Sequence, residues 1–154
     1  MNLEISIESE HWNCVDVENI VAECVKFVFA DLVIEDNDIE ICFLFADNDE
    51  VKILNKTYRG IDKATNVLSF PVNSNNEKAH CGTYILGSSV FAYSVLEQEA
   101  IEQEKSFSSH LKHIIVHSIL HLLGYNHLTE VDAERMESIE IRVLSKLNVP
   151  NPYE

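Results

Sequence analysis

The sequence has few glycines, few prolines and few basic side chains. Its 154 residues include four glycines, three prolines, and 11 lysines and arginines against 26 aspartates and glutamates. With 46% hydrophobic residues, this composition excludes a collagen-like repeat or a disordered chain and predicts one globular domain over residues 1–154. No uninterrupted apolar run reaches the roughly eighteen residues of a transmembrane helix, so no membrane partner is expected.

Export signals and paired cysteines are also missing. Residues 1–14 carry three glutamates and no basic side chain, unlike a secretory signal peptide. The four cysteines form no C-x-x-C pair, which argues against a thiolate zinc site or a redox motif. We therefore expect a cytoplasmic protein whose cysteines are reduced and act as small buried apolar side chains.

Apolar alternation and short apolar runs predict a small sheet. The strands are expected at residues 3–7, 39–46, 67–72 and 83–86. Pro71 favours an edge position or an early end for the third strand, because proline cannot donate a hydrogen bond to a neighbouring strand. The residues at 73–80 are expected to form the loop between the last two strands.

Capping residues and a helical period predict the helices. Asp16 and Thr129 each precede an amphipathic segment, as side-chain caps of helix N-termini do. Asp47 and Glu50 resemble a capping box. Gly60 is a natural stop for that helix.

A long apolar helix is expected in the C-terminal half. The helical period begins at about Ser89 and continues, in one or two pieces, to Leu123. The order of elements predicts an α+β domain with a small mixed sheet of about four strands packed against about five helices.

Five of the seven histidines fall between positions 110 and 127, and three of them have the spacing of a metal site. His117 and His121 are four residues apart, so a helix places them on one face on successive turns. Gly124 permits a turn after this helix, which would bring His127 toward them. Three neutral imidazoles with a fourth position open to water suit a catalytic zinc ion, which lowers the pKa of its water to about 7. One zinc per chain is therefore predicted, although nickel or copper can bind the same ligands.

His110 and His113 share the histidine face of the same helix, opposite the apolar residues that form the core. One of them is a candidate for a hydrogen bond to a metal ligand or for contact with the substrate. His113 is the one that we assign to substrate binding. An exposed helix face without a function is the alternative for both.

The charge is unevenly distributed along the chain. Residues 1–50 carry a net charge of −13, residues 51–63 a net charge of +3, and residues 64–154 a net charge of −5. The basic segment, residues 51–63, is a candidate phosphate-contacting surface, in which Lys56 and Lys63 are candidate substrate-binding residues. A solvated helix face is the alternative.

Arg59 is the candidate catalytic residue of the basic segment. Its planar guanidinium can pair with a phosphate through two hydrogen bonds and stabilise charge that builds up on phosphorus. The histidine spacing itself is shared with metzincin peptidases, in which a glutamate general base directly follows the first histidine. Ser118 occupies that position here and cannot act as a base at neutral pH, which disfavours a peptidase.

The two segments together resemble the bacterial endoribonuclease YbeY family of rRNA maturation factors. The resemblance lies in Tyr58-Arg59-Gly60, in ATNVLSFP at residues 64–71 and in the histidines of HSILHLLGYNH. It implies a single-strand-specific, metal-dependent endoribonuclease that acts in 16S rRNA 3′-end maturation and ribosome quality control, with zinc on the three histidines and Arg59 in contact with the substrate. The implied partners are a 16S rRNA precursor and the small ribosomal subunit, and no DNA partner is expected.

The chain departs from the family pattern at two positions. Ser88 stands where the family usually has an aspartate after Leu-Gly, and Asn126 stands where an aspartate commonly precedes the third histidine. Neither change removes a metal ligand. Two other functions stay open, a zinc metallohydrolase of another substrate such as a peptide, and a non-catalytic ribosome assembly factor with a structural metal. The sequence also leaves open whether metal-bound water or an RNA 2′-hydroxyl is the nucleophile.

Overall fold

The computed structural model describes residues 1–35, 38–72 and 84–154. The loop predicted at 73–80, Cys81 and the start of the strand predicted at 83–86 lie outside the described residues. The elements, with one 3₁₀ helix at Glu10–Cys14, are β1 (Asn2–Ile7), α1 (Val17–Asp31), β2 (Ile39–Ala46), α2 (Asn48–Arg59), β3 (Val67–Pro71), β4 (Tyr84–Ala92), α3 (Tyr93–Glu102), α4 (Phe107–Leu122) and α5 (Glu130–Lys146). Within these residues the α+β class and the mixed sheet of four strands with five α-helices are confirmed.

The sheet has the strand order β1-β2-β4-β3. β1, β2 and β4 are parallel, whereas β3 runs antiparallel to β4 at one edge, where Pro71 predicts it. Alternate residues of β2, namely Ile41, Phe43 and Phe45, are buried in one hydrophobic core with apolar residues of α1, α4 and α5. α2 lies over a smaller apolar cluster that includes Leu68 of β3 and Val90 of β4.

The boundary between strand and helix after Ser89 differs from the prediction. β4 continues to Ala92, because its residues pair in register with β2 as far as Ala46. Ser89 is fully buried, and its hydroxyl lies 3.5 Å from that of Ser69 on β3. Backbone pairing on both sides of this central strand thus outweighs the helical period of the side chains.

The long apolar helix is divided into α3 and α4. Glu104 takes a positive φ of 54° between them, and the side chain of Ser106 accepts a hydrogen bond from the backbone N–H of Ser109 to begin α4. At the start of α2 the predicted capping box is replaced by a hydrogen bond between adjacent residues, in which the side chain of Asp47 accepts from the N–H of Asn48 at 2.8 Å.

None of the described helices combines the length and apolarity needed to cross a bilayer.

Trp12, in the 3₁₀ helix, joins the N-terminal segment to the core. Its side chain is fully buried, and its indole N–H donates to the carbonyl of Ala46 at 2.8 Å. The ring packs against Phe45, Tyr93 and Phe107. One side chain therefore links the 3₁₀ helix to β2, α3 and α4.

An ion pair between α5 and the end of α1 gives a first prediction. Arg142 donates from Nη2 and Nε to the two carboxylate oxygens of Asp31, at 2.9 and 3.2 Å. These hydrogen bonds lower the pKa of Asp31. We expect Arg142→Ala to lower the free energy of unfolding near pH 7 by about 1 kcal/mol, the magnitude of a partly exposed bidentate pair.

The same pair predicts a pH dependence. Because the pKa of Asp31 is lower in the folded state than its ordinary value of 3.8, its stabilisation is fully present above that value and is lost as the pH falls through the folded pKa. Urea unfolding should therefore show a difference between wild type and Arg142→Ala near pH 7 that shrinks near pH 3. Arg135→Ala, at an exposed position of the same helix, is the matched control. A difference that is equally large in acid would contradict the assignment.

Candidate metal centre

Two turns of α4 and the loop after it bring three imidazoles together. The Nε2 atoms of His117 and His121 are 3.0 Å apart. α4 ends at Leu122, and Gly124 takes a φ of 100°, which other residues adopt only with strain. The chain turns back there, and the ring centroid of His127 lies 5.7 Å from that of His117 and 5.2 Å from that of His121. One nitrogen of each ring lies within 4.8 Å of the others, so the predicted grouping is present.

Hydrogen bonds fix the tautomers of the two helical histidines. Nδ1 of His117 lies 2.5 Å from a carboxylate oxygen of Glu140, and Nδ1 of His121 lies 3.1 Å from the backbone carbonyl of Tyr125. Since both oxygens accept, each Nδ1 carries the proton and each Nε2 presents a lone pair. Two lone pairs 3.0 Å apart repel unless a cation or proton lies between them. This donor set fits a metal ion, because metal-binding histidines are oriented in this way.

The protonation states also suit a metal. Burial and the neighbouring charges of His117 and His127 lower the pKa of His121 from 6.5 to about 4. Burial raises the pKa of Glu140, but hydrogen bonds with His113, His117 and Tyr153 outweigh it and bring this pKa to about 2. At neutral pH His121 is therefore the neutral imidazole that a metal requires, and Glu140 is a carboxylate.

Glu140 is a residue of the histidine cluster that the sequence reasoning missed. It lies on α5, 23 residues after His117, and is fully buried. A signal was available, since Glu140 interrupts the apolar stripe formed by Met136, Ile139 and Val143. A buried carboxylate requires hydrogen-bond partners, and here they are polar side chains of the histidine cluster.

The three histidines open into a cleft of about 490 Å³. α4 and the loop after it form one side. The other side is formed by the end of α2 and by β3, with Arg59, Asn66 and Ser69 among its residues. Tyr153, near the C-terminus, also lines the cleft. The arrangement places a guanidinium and three imidazoles suited to a metal ion around one solvent-accessible space.

The candidate residues of the basic segment separate into two groups. Arg59 lines the cleft. The structure describes all residues of the basic segment, and Arg59 is the one cation among them that lines the cleft. Lys56 is exposed and its Nζ lies 3.9 Å from a carboxylate oxygen of Asp62. Lys63 is also exposed, and its backbone carbonyl accepts from the side-chain amide of Asn55 at 2.7 Å. Both lysines lie outside the cleft lining.

The two further histidines of α4 differ in position. His113 lines the cleft, and its Nε2 is 3.4 Å from the hydroxyl of Tyr153 and 3.7 Å from a carboxylate oxygen of Glu140. His110 is only 2% exposed, so the prediction that it lies on a face not needed by the core is wrong. Its Nε2 contacts Glu99 at 2.9 Å, and Glu99 also accepts from the side chain of Asn66 at 3.1 Å. Through Glu99, His110 is thus linked to Asn66 on the opposite side of the cleft.

Two of the remaining sequence features are explained by hydrogen bonds. Ser118 is fully buried and donates to the carbonyl of Ile115 at 2.8 Å, so it contributes nothing to the cleft. The side-chain oxygen of Asn126 accepts from the backbone N–H of Leu128 at 3.1 Å. Asn126 therefore shapes the loop that carries the third histidine. Ser88 is half-buried in β4, paired with Cys42 of β2 and Phe70 of β3.

Comparisons with known proteins identify the family of this chain. A family model described as endoribonuclease YbeY matches residues 4–148. Proteins named endoribonuclease YbeY are 38% identical in Agrobacterium fabrum and 39% identical in Rhizobium meliloti, in each case over 99% of this chain and 95% of the relative. The solution structure of a Thermotoga maritima protein shares the fold at 22% identity, with a TM-score of 0.61 over 99% of this chain and 95% of that one. The chain with the three-histidine cleft is therefore a member of the endoribonuclease YbeY family.

Proposed function

We propose that this protein is a metal-dependent endoribonuclease that cleaves single-stranded RNA in the cytoplasm. The observation that carries the proposal is that Arg59 and the three-histidine group line the same cleft. The metal would be one zinc ion per chain, held by His117, His121 and His127. Family membership supports RNA as the substrate, because the relatives are named as endoribonucleases.

The residues in and behind the cleft have different roles in the proposed reaction. Zinc bound by three neutral imidazoles would act as a Lewis acid and lower the pKa of a bound water to about 7. Glu140 and the carbonyl of Tyr125 hold His117 and His121 in the metal-binding tautomer. Arg59 binds a phosphate oxygen pair and offsets the charge that develops on phosphorus. His113 contacts the substrate from the α4 side of the cleft.

The charge distribution limits where RNA can touch the protein. The whole chain carries a net charge of −15, so phosphates are attracted mainly to the basic segment. Lys56 and Lys63, exposed beyond the cleft, would supply additional phosphate contacts that weaken as salt is raised. Such limited binding favours a substrate presented by a larger body, and we propose that this is the 16S rRNA precursor on the small ribosomal subunit.

Chelation gives the direct test of this function. The zinc-loaded protein is expected to cut a single-stranded RNA spanning the 3′ end of the 16S precursor, and to lose this activity in a chelator until zinc is restored. Denaturing gels measure the products, and the same sequence in a duplex or as DNA is the control substrate. Undiminished cleavage after complete zinc removal would contradict the proposal. An RNA with a single 2′-deoxy nucleotide at the cut distinguishes the two nucleophiles, since only attack by water tolerates it.

The other two functions make different predictions. A peptidase of the metzincin type lacks its base here, because Ser118 is bonded to Ile115 within the core and Glu140 is engaged with Nδ1 of His117. Chelator-sensitive cleavage of casein would nevertheless favour it. A non-catalytic assembly factor would be favoured if variants that cannot cut RNA still restored ribosome maturation in cells.

A further inference from the structure

We infer that Tyr153, in the C-terminal tail, is a positioning residue of the metal centre that acts on His117 through Glu140. The hydroxyl of Tyr153 donates to Oε2 of Glu140. The other carboxylate oxygen, Oε1, lies 2.5 Å from Nδ1 of His117. A chain of two hydrogen bonds thus runs from the tail to a proposed metal ligand, and the inference rests on the metal site proposed above.

The tail is held in the position that this contact needs. Val149 is buried at 7% exposure, and its N–H donates to the carbonyl of Leu144 at the end of α5 at 2.8 Å. The backbone N–H of Tyr153 donates to the side chain of Asn151 at 2.9 Å, and Lys105 donates to the carbonyl of Pro152 at 3.3 Å. These contacts hold the tail next to Glu140 independently of the phenol hydroxyl, so less conformational entropy is lost in forming the hydrogen bond to Glu140.

Glu140 depends on this donor because it is sealed from solvent. Its side chain is fully buried, and a buried carboxylate needs a hydrogen bond to each oxygen. Among the described residues, Tyr153 is the one that donates to Oε2, while His117 and His113 face Oε1. Without the phenol hydroxyl the carboxylate would turn toward another donor and release its hold on the imidazole.

Tyr153→Phe isolates the hydroxyl. The ring of Tyr153 packs edge-on against His113 with centroids 5.6 Å apart, and phenylalanine keeps this packing. Tyr93→Phe is the matched control, since it also removes the hydroxyl of a tyrosine whose pKa is raised by burial and by a nearby glutamate, Glu97, on a helix that carries none of the three histidines. A second variant, truncated after Pro152, removes the whole side chain of Tyr153. It tests the same contact without leaving a phenylalanine ring in the cleft.

The experiment measures zinc affinity of the apoprotein by competition with a chromophoric chelator, independently of RNA cleavage. We expect Tyr153→Phe and the truncated chain to bind zinc about 10-fold more weakly than wild type, the lower end of the effect of outer hydrogen-bond partners. Tyr93→Phe should bind as wild type does. In a Glu140→Gln background, Tyr153→Phe should cause little further loss, because the tyrosine acts through Glu140.

The outcomes separate this inference from the proposed function. Wild-type affinity in both Tyr153 variants would overturn the positioning role and leave the metal site intact. An equal loss from Tyr153→Phe in the presence and absence of the Glu140 carboxylate would also overturn it, since the tyrosine would then act by another route. A wild-type protein that binds no zinc would overturn the metal site and this inference together.

Discussion

Replacing His127 with alanine is expected to abolish zinc binding and RNA cleavage without unfolding the protein. His127 is exposed on the loop after α4 and contacts the other two histidines through its ring. Two helical imidazoles would remain, fewer than the three protein ligands of catalytic zinc sites. We expect kcat/KM to fall by at least about 1,000-fold, the scale of a lost catalytic metal.

His117→Ala is expected to have the same effect on zinc and a second effect on stability. Its imidazole is hydrogen-bonded to the fully buried Glu140, so alanine removes one donor from a buried carboxylate. Losing a hydrogen bond to a buried charged group costs about 2 kcal/mol. The apo forms of the two variants should therefore differ in urea unfolding although both lack zinc.

Zinc content, cleavage rate and urea midpoint measure these effects side by side. The matched control is His11→Ala, because His11 is half-exposed, stacks on Tyr93 and lies 3.4 Å from Asp47, away from the cleft. It should keep one zinc per chain and full activity. Retention of one zinc per chain by His127→Ala would contradict the three-histidine site.

Arg59→Ala is expected to lower kcat/KM by about 100- to 1,000-fold while zinc content is unchanged, as when one donor to a developing negative charge is removed. Arg59 is exposed at the last turn of α2 and lines the cleft. Its loss therefore removes the proposed substrate contact without opening a cavity in the core. Arg59→Lys should recover only part of the activity, because an ammonium keeps the charge but not the two-pronged geometry.

Lys52→Ala provides the control for charge. Lys52 is exposed on the same helix and lies outside the cleft lining, so its loss changes the net charge equally. We expect nearly unchanged kcat and a small, salt-dependent rise in KM. If Arg59→Ala and Lys52→Ala proved equally active, Arg59 would contribute only to the overall field of the protein.

The three-histidine group was predictable because its arrangement is local. A four-residue spacing on a helix fixes His117 relative to His121, and a glycine after the helix lets the chain return with His127. The edge position of β3 follows from Pro71 for a similarly local reason. Each of these predictions needs only a few neighbouring residues and the geometry of one element.

The hydrogen bonds that orient the histidines were not predictable in the same way. Glu140 meets His117 only because α5 packs against α4, and Tyr153 meets Glu140 only because the tail folds back over that junction. The placement of Arg59 opposite the histidines depends on β3 pairing with β4 and on the packing of α4 against β3. The helical period of the side chains also gave a wrong prediction from Ser89 onward, because β4 pairs there with β2 on one side and β3 on the other.

Trp12 has a practical consequence for all of these variants. It is the single tryptophan of the chain, and its indole is fully buried among residues of β2, α3 and α4. None of its described partners lines the cleft. Its fluorescence emission should therefore shift to longer wavelength when these elements separate, and stay constant when zinc or RNA enters the cleft. The protein carries an intrinsic optical reporter of folding that is silent to catalysis.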